Sequence, residues 1–220
     1  MTKQAIIFGA TGAVGQQLLT LCLDNDRYQQ VTVIARRPTS LAHPKLHWLE
    51  ADLKTLDTLA VMPALAGGDA FCCLGTTIKA AGSKQGFRRV DFDFVLAAAQ
   101  FAQRCQINSF NMVSALGADS QSTVFYNRTK GDIETALIAQ KLPHLRLFRP
   151  SLLKGPRAEL RWAEAVGNVV STVLKPLFAL GLKKYQPLAI DALARALYHT
   201  ADEDDAVAVR VYESDELQGY

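Results

Sequence analysis

The feature that most limits how this chain can fold is residues 4–15, Gln-Ala-Ile-Ile-Phe-Gly-Ala-Thr-Gly-Ala-Val-Gly. A short apolar run, Ala5 to Phe8, leads straight into Gly9-x-x-Gly12-x-x-Gly15, and a helical pattern follows. An apolar run so short and unbroken reads as a strand covered on both faces, as in a parallel sheet. Gly9 lets the chain turn. Gly12, without a Cβ, lets backbone approach a pyrophosphate, and Gly15 lets the helix lie close to the strand. Unpaired N–H groups and the dipole at the helix start favour an anion there. Glycine triplets are common; this one gains meaning from its place on a strand-to-helix switch. Gly9, Thr11, Gly12, Ala13, Val14 and Gly15 are therefore candidate cofactor-binding residues.

The rest of the chain continues the rhythm. After a helix over residues 14–23, strands are predicted at 31–35, 46–49, 70–74, 110–113 and 145–148. Helices are predicted at 56–65, 87–104 and 125–140. Strand–helix alternation of this kind predicts an α/β fold: a Rossmann doubly wound parallel sheet with helices on both faces. Crossovers should be right-handed. The rhythm changes after Pro150. Residues 158–182 read as largely helical, broken at Lys175-Pro176, followed by a helix at 187–200 and a last strand at 207–212. One domain over 1–220 is expected, with 151–186 forming a small C-terminal cap on the substrate side. Residues 163–182 are apolar, but Glu164, Lys175 and Pro176 interrupt them, so a lid or cap helix is expected rather than a membrane anchor. A dimer contact through this stretch stays open.

Bulk properties exclude several classes. With 49% hydrophobic residues in 220, the chain can bury a full core. A net charge of +3 is spread out, with no basic block to suit nucleic acid or a membrane surface. Cys22, Cys72, Cys73 and Cys105 have neither disulfide-framework nor zinc spacing, and His43, His47, His144 and His199 are scattered. No metal is expected. No signal-peptide pattern precedes the first strand, and a reducing, cytoplasmic setting is the expectation. Cys72 and Cys73 read as small buried strand residues.

Cofactor choice is read at the tip of the second strand. An NAD site places an acid about 20 residues beyond the glycines to hold ribose hydroxyls. This chain has Arg36 and Arg37 there, with no acid between Asp26 and Glu50. Paired guanidinium groups suit a 2′-phosphate, so NADP (NADPH) is favoured over NAD. Asp52, after the third strand, is placed to accept from an adenine amine or to cap a helix, and Leu53 beside it is a further candidate cofactor contact. The chemistry points to Ser114, Tyr126 and Lys130. Tyr126 and Lys130 lie four apart on one helix face. An ammonium beside a phenol favours phenolate, which would bring the phenol below its reference value of about 10 toward a general acid/base near neutral pH. Ser114 ends the fifth strand, beside the ligand crevice, where its hydroxyl would hold a substrate carbonyl or alcohol oxygen.

These residues together resemble the short-chain dehydrogenase/reductases of the extended or atypical kind. The N-terminal glycines, Ser114-x-x-Gly117, Tyr126-x-x-x-Lys130 and Arg149-Pro150 match that superfamily's pattern and order. More narrowly, Cys72-Cys73-Leu74-Gly75-Thr76-Thr77, Ala81-Gly82, Arg89-Val90-Asp91 and Lys130-Gly131 resemble the small Tat-interacting-protein-like oxidoreductases, whose bacterial relatives are labelled nucleoside-diphosphate-sugar epimerases. The resemblance covers residues 4 to about 156. It implies NADPH in the crevice, catalytic Ser114, Tyr126 and Lys130, Lys130 also on the nicotinamide ribose, and Leu74, Gly75, Thr76, Arg149 and Pro150 along the cofactor. The chain departs from the pattern at Ile78, where relatives carry an arginine, and at Asp91, where many carry a proton-relay asparagine. The expected function is hydride transfer to or from a small carbonyl or alcohol. The alternatives are an NADPH-binding regulatory sensor with little turnover and an epimerase-like enzyme on nucleotide sugars. A small-molecule substrate is the expected partner, and the chain is expected as monomer or homodimer.

Overall fold

The structure, a computed structural model, describes residues 3–37, 39–155, 183–201, 203 and 207–220. The expected helical stretch 158–182 and most of the expected cap lie outside them. The first half of the chain forms β1 (Lys3–Phe8), α1 (Ala13–Asp24), β2 (Tyr28–Ala35), β3 (Leu46–Glu50) and β4 (Asp69–Cys72). Then come α2 (Ile78–Ala81), α3 (Lys84–Arg88), α4 (Phe94–Arg104), β5 (Ser109–Val113), α5 (Phe125–Ala139) and β6 (His144–Arg149). The remainder supplies β7 (Leu153–Lys154), β8 (Leu188–Ala189), α6 (Ile190–Thr200), β9 (Val209–Glu213) and α7 (Ser214–Leu217).

Seven strands join in the order β3-β2-β1-β4-β5-β6-β9, and every pair is parallel. A short parallel ladder, β7 with β8, stands apart. The chain winds outward from β1 to β3, then crosses back to β4, so the connections that follow β1 and β4 leave their carboxyl ends in opposite directions. That switch point is where ligands bind in open sheets of this kind.

The apolar run of β1 explains the layering. Side chains alternate across a strand. Ala5 and Ile7 enter one core with Leu18 of α1 and Leu193 and Leu197 of α6. Ile6 and Phe8 enter the other with Val95 and Phe101 of α4 and Ile133 and Leu137 of α5. The Phe8 and Phe101 rings meet edge-on with centroids 6.5 Å apart. Burying a ring of that size contributes roughly 2–3 kcal/mol, and here it pins α4 beneath the strand that enters the glycine turn.

Some expected elements take another form. Residues 56–65 are no α-helix; two 3₁₀ turns, Leu53–Thr55 and Pro63–Leu65, serve instead. Pro63 has no N–H and its ring crowds the preceding turn. Leu56 and Leu65 are nonetheless buried, so their spacing recorded burial rather than helix. The expected helix 87–104 is α3 and α4 joined by a π-helical turn, Arg89–Asp93, in which the Phe94 N–H reaches back to the Arg89 carbonyl. The expected helix 187–200 begins at Ile190, because Leu188 and Ala189 form β8. Among the described residues no helix is long and apolar enough to cross a membrane.

Candidate active site

The glycine turn forms one wall of a cleft at the carboxyl ends of β1 and β4. Gly9 has φ +82°, and a Cβ there would lie 2.8 Å from the Cys73 carbonyl. A Cβ on Gly15 would stand 2.2 Å from the Gly9 carbonyl oxygen. Both positions hold only glycine in this geometry. Gly12 caps α1 with no side-chain hydrogen bond, and the first turn carries no acid. The leading N–H groups of a 12-residue helix are thus left for an anion. A dinucleotide pyrophosphate fits this cradle.

The cleft is lined by Gly12, Ala13, Val14, Leu74, Gly75, Thr76, Ser114, Tyr126, Lys130 and Pro150 among the expected residues. Cys73, Thr77, Asp91, Ala115, Ser151, Leu153 and Ile190 join them. Arg36 and Arg37 are exposed just past β2, and β2 pairs with β1 in the register Phe8 to Ile34, so they flank the turn. Asp52 is spent on a local cap: its carboxylate accepts from the Lys54 N–H at 3.0 Å. Leu53 packs against the α4–α5 core. Arg149 does not line the cleft. Its guanidinium grips Glu134 through Nε at 3.1 Å and Nη2 at 2.5 Å, and Glu213 through Nη1 at 3.1 Å. Arg149 is held above its ordinary pKa by the Glu134 hydrogen bonds first and Glu213 second, against the cost of burial.

Tyr126, Lys130 and Glu134 follow one another at intervals of four on α5, which puts them on one face. Gly131, beside Lys130, makes room for a neighbouring loop. A Cβ there would meet the Ser120 N–H group at 2.1 Å, so the loop after β5 lies directly on the helix. The Phe87 ring backs the Tyr126 ring at a centroid distance of 5.3 Å. Ser114 follows β5, its N–H held by the Phe148 carbonyl at 2.7 Å. Its hydroxyl donates to Glu134 Oε1. Ser114 was expected to hold a substrate oxygen with that hydroxyl; with its hydrogen given to Glu134, Oγ is left to accept. Glu134 escaped notice in the sequence, although the four-residue interval from Lys130 would have found it.

Lys130 does pull the Tyr126 pKa down, but the net position of Tyr126 is above its ordinary value and not below it as expected. Lys130 Nζ lies 2.8 Å from Asp91 Oδ1, with both side chains almost wholly buried. Burial alone would lower the Lys130 pKa, but Asp91, with Tyr126 adding to it, holds the ammonium above its ordinary value. Tyr126 moves up rather than down: burial raises it, Lys130 pulls it back, and Asp91 opposes Lys130. The four cysteines are free thiols. Burial pushes Cys72 up to about 12 and Cys73 well above the ordinary thiol value, which leaves neither reactive at neutral pH. Among the described residues no group of three or more His, Cys, Asp and Glu side chains is placed to hold a metal ion.

Comparison with known proteins agrees with this geometry. A family model described as NAD(P)H-binding matches residues 9–154. Protein HTATIP2 of Rattus norvegicus is 38% identical over 74% of this chain and 67% of its own. Protein FMP52-1, mitochondrial, of Scheffersomyces stipitis is 29% identical over 97% of this chain and 96% of its own. Among solved structures, MoeE5 in complex with UDP-glucuronic acid and NAD superposes with a TM-score of 0.68 at 16% identity, over 96% of this chain and 76% of that one. Human epimerase family protein SDR39U1 with NADPH superposes with a TM-score of 0.59 at 16% identity, over 98% and 77%. At such identities these two show a shared fold.

Proposed function

We propose a function from one premise: the chain belongs to the NAD(P)H-binding family, within its HTATIP2- and FMP52-like branch. On that premise it is an NADP-dependent oxidoreductase acting on a small carbonyl or alcohol. The observation that carries the reading is the convergence of Ser114, Tyr126 and Lys130 on the cleft walled by the glycine turn. A nicotinamide bound there supplies or accepts the hydride. Tyr126 gives the proton to the substrate oxygen, or takes it. Lys130 has three donors, of which Asp91 takes one, and the others are free for ribose hydroxyls. Ser114 Oγ accepts the hydroxyl hydrogen of the substrate in its alcohol form and so fixes that oxygen. Gly12, Ala13 and Val14 hold the pyrophosphate, and Leu74, Gly75 and Thr76 border the dinucleotide. Arg36 and Arg37 take the 2′-phosphate.

Calorimetric titration with NADPH and NADH, on protein stripped of nucleotide, tests the cofactor half. NADPH should bind at micromolar concentration and at least tenfold tighter than NADH, and Arg36→Ala/Arg37→Ala should erase the difference. Equal affinities in the unaltered protein would overturn the choice of NADP. A carbonyl panel followed by NADPH oxidation tests the catalytic half. Tyr126→Phe should lose turnover by 100-fold or more and keep its NADPH affinity; retained turnover would remove Tyr126 from the reaction.

A second reading, an NADPH sensor with little turnover, is favoured by one observation. Both polar groups beside Tyr126 are already engaged, Ser114 by Glu134 and Lys130 by Asp91. NADPH binding without oxidation of cofactor on any carbonyl would select it. An epimerase-like action would show instead as interconversion of nucleotide sugars with no net change in the dinucleotide. The cytoplasmic setting expected from the cysteines stands as part of this proposal, beside fungal relatives whose own names say mitochondrial.

A further inference from the structure

Asp91 occupies an unusual place. It sits in the π-helical turn Arg89–Asp93, whose extra residue per turn rotates one side chain out of the ordinary helical register. That side chain is buried, and both of its oxygens are used. Oδ1 meets Lys130 Nζ at 2.8 Å, and Oδ2 accepts from the Thr76 N–H at 2.9 Å. It also lies against the open face of Gly75, where a Cβ would come within 3.5 Å of Oδ1. One carboxylate thus ties the loop after β4 to the α5 lysine.

The consequence for Tyr126 is electrostatic. A lone buried ammonium one helical turn away would draw the phenol strongly toward phenolate, since charge interactions lose little to screening in a buried site. An ammonium with a carboxylate at 2.8 Å carries no net charge. The Asp91 carboxylate opposes the pull of Lys130 on the phenol, and the cost of burying a phenolate outweighs what is left of that pull. Among the described residues, the ionisable groups that interact in this cluster are Lys130 and Tyr126 from α5, Asp91 from the π turn and Cys72 from β4. The Cys72 thiol is neutral through the physiological range, because burial holds it near 12.

We propose that Asp91 is a positioning residue that holds Lys130 in a neutral buried pair and so keeps Tyr126 a phenol, making the site a proton donor suited to reducing carbonyl substrates rather than a base that oxidises alcohols. The choice of direction rests on the oxidoreductase reading above, whereas the effect on Tyr126 does not. The upward displacement of Tyr126 by burial, with Lys130 and Asp91 acting in opposite senses, supports it. In the reducing direction the atoms balance simply. The carbonyl carbon receives hydride from a reduced dinucleotide, the carbonyl oxygen receives the Tyr126 proton, and the tyrosinate left behind regains a proton from water.

The test reads the phenol itself, on protein without dinucleotide. Ultraviolet difference titration between pH 6 and 9, each variant minus its Tyr126→Phe counterpart, isolates Tyr126 from the other tyrosines. The unaltered protein should form no measurable Tyr126 phenolate by pH 9. Asp91→Asn, which keeps the shape and the acceptor for Thr76, should bring a measurable Tyr126 phenolate fraction by pH 9. Asp91→Ser is a second neutral variant with the same expectation, should the amide not fold. The double variant Asp91→Asn/Lys130→Met again carries no charge and should lose the phenolate signal. Phenolate in the unaltered protein at neutral pH overturns the proposal by itself, as does an unchanged titration in the folded neutral variants. A merely structural Asp91 would alter thermal stability and leave the titration in place. If the dinucleotide titrations failed, the oxidoreductase reading would fall and the tyrosine titration would still decide what Asp91 does.

Discussion

At the scale of single residues, the three glycines of the N-terminal turn have separable jobs, and the structure says which is which. A Cβ on Gly15 has nowhere to go: the Gly9 carbonyl oxygen stands 2.2 Å away and the Ala10 Cα 2.8 Å away, both backbone. Gly15→Ala should therefore cost roughly 1–3 kcal/mol or more through overpacking, and lose NADPH binding with it. At Gly12 the nearest atom is the Gly9 carbonyl oxygen at 3.3 Å, a contact a small shift relieves. Gly12 also has an ordinary negative φ of −77°. Gly12→Ala should leave the melting temperature within a few degrees and weaken NADPH at least tenfold, because the methyl group occupies the approach to the phosphate. Thermal melts beside calorimetry separate the two. Equal loss of stability in both variants would show that the turn is a packing device and not a phosphate cradle.

At the scale of elements, what could be read from the sequence was whatever repeats along one element. β1 was legible because Ala5 to Phe8 alternate into two apolar layers, and α5 because Tyr126 and Lys130 share its face. Contacts between elements were not. The Ser114–Glu134–Arg149–Glu213 chain joins β5, α5, β6 and β9, and nothing in the spacing of any one of them announces it. The π turn that carries Asp91 inward is likewise invisible, since an i to i+5 bond leaves no periodic trace in five residues. Pro63 was visible and should have outweighed the apolar spacing of residues 56–65. The network also allows an energetic prediction. Glu134 is buried, accepts from Ser114 and receives the Arg149 fork. Glu134→Ala leaves Arg149 half-satisfied and should cost about 3 kcal/mol, a fall in melting temperature of roughly 6–12 °C in a chain of this size. Asp191→Ala removes an exposed pair with Arg195 on α6 and should cost less than about 1 kcal/mol. If the two variants melt together, the network contributes nothing beyond a surface pair.

At the scale of the whole molecule, the sheet buries ionisable groups in both of its layers, and this fixes how stability responds to alkali. Cys22 lies in the α1 layer and Cys72 in the α4 layer, and neither touches solvent. Burial raises both thiols from an ordinary value of 9.0, Cys72 to about 12 and Cys22 further. Tyr28, also buried, is raised by burial first and by Asp69 second. A thiol that ionises later in the folded chain than in the unfolded one contributes its full stability below the unfolded value. As pH rises past 9 the unfolded chain releases protons that the native fold still holds, so the loss per thiol steepens toward about 1.4 kcal/mol per pH unit. The loss continues until the native thiols themselves ionise, near pH 12 for Cys72. An unfolded thiol is half ionised at pH 9, so two such thiols together remove about 2 kcal/mol between pH 9 and 10, with Tyr28 adding above pH 10. Melting temperature should then be flat from pH 7 to 8.5 and fall steeply above 9. Lysine deprotonation and surface charge act in the same range, and the Cys22→Ala/Cys72→Ala variant separates them, since it keeps the surface and removes two of the buried thiols. The variant should start less stable at pH 7, through lost packing, and lose less from pH 9 to 10 than the unaltered protein. Parallel curves for the two proteins would show that Cys22 and Cys72 are not the source of the alkaline loss.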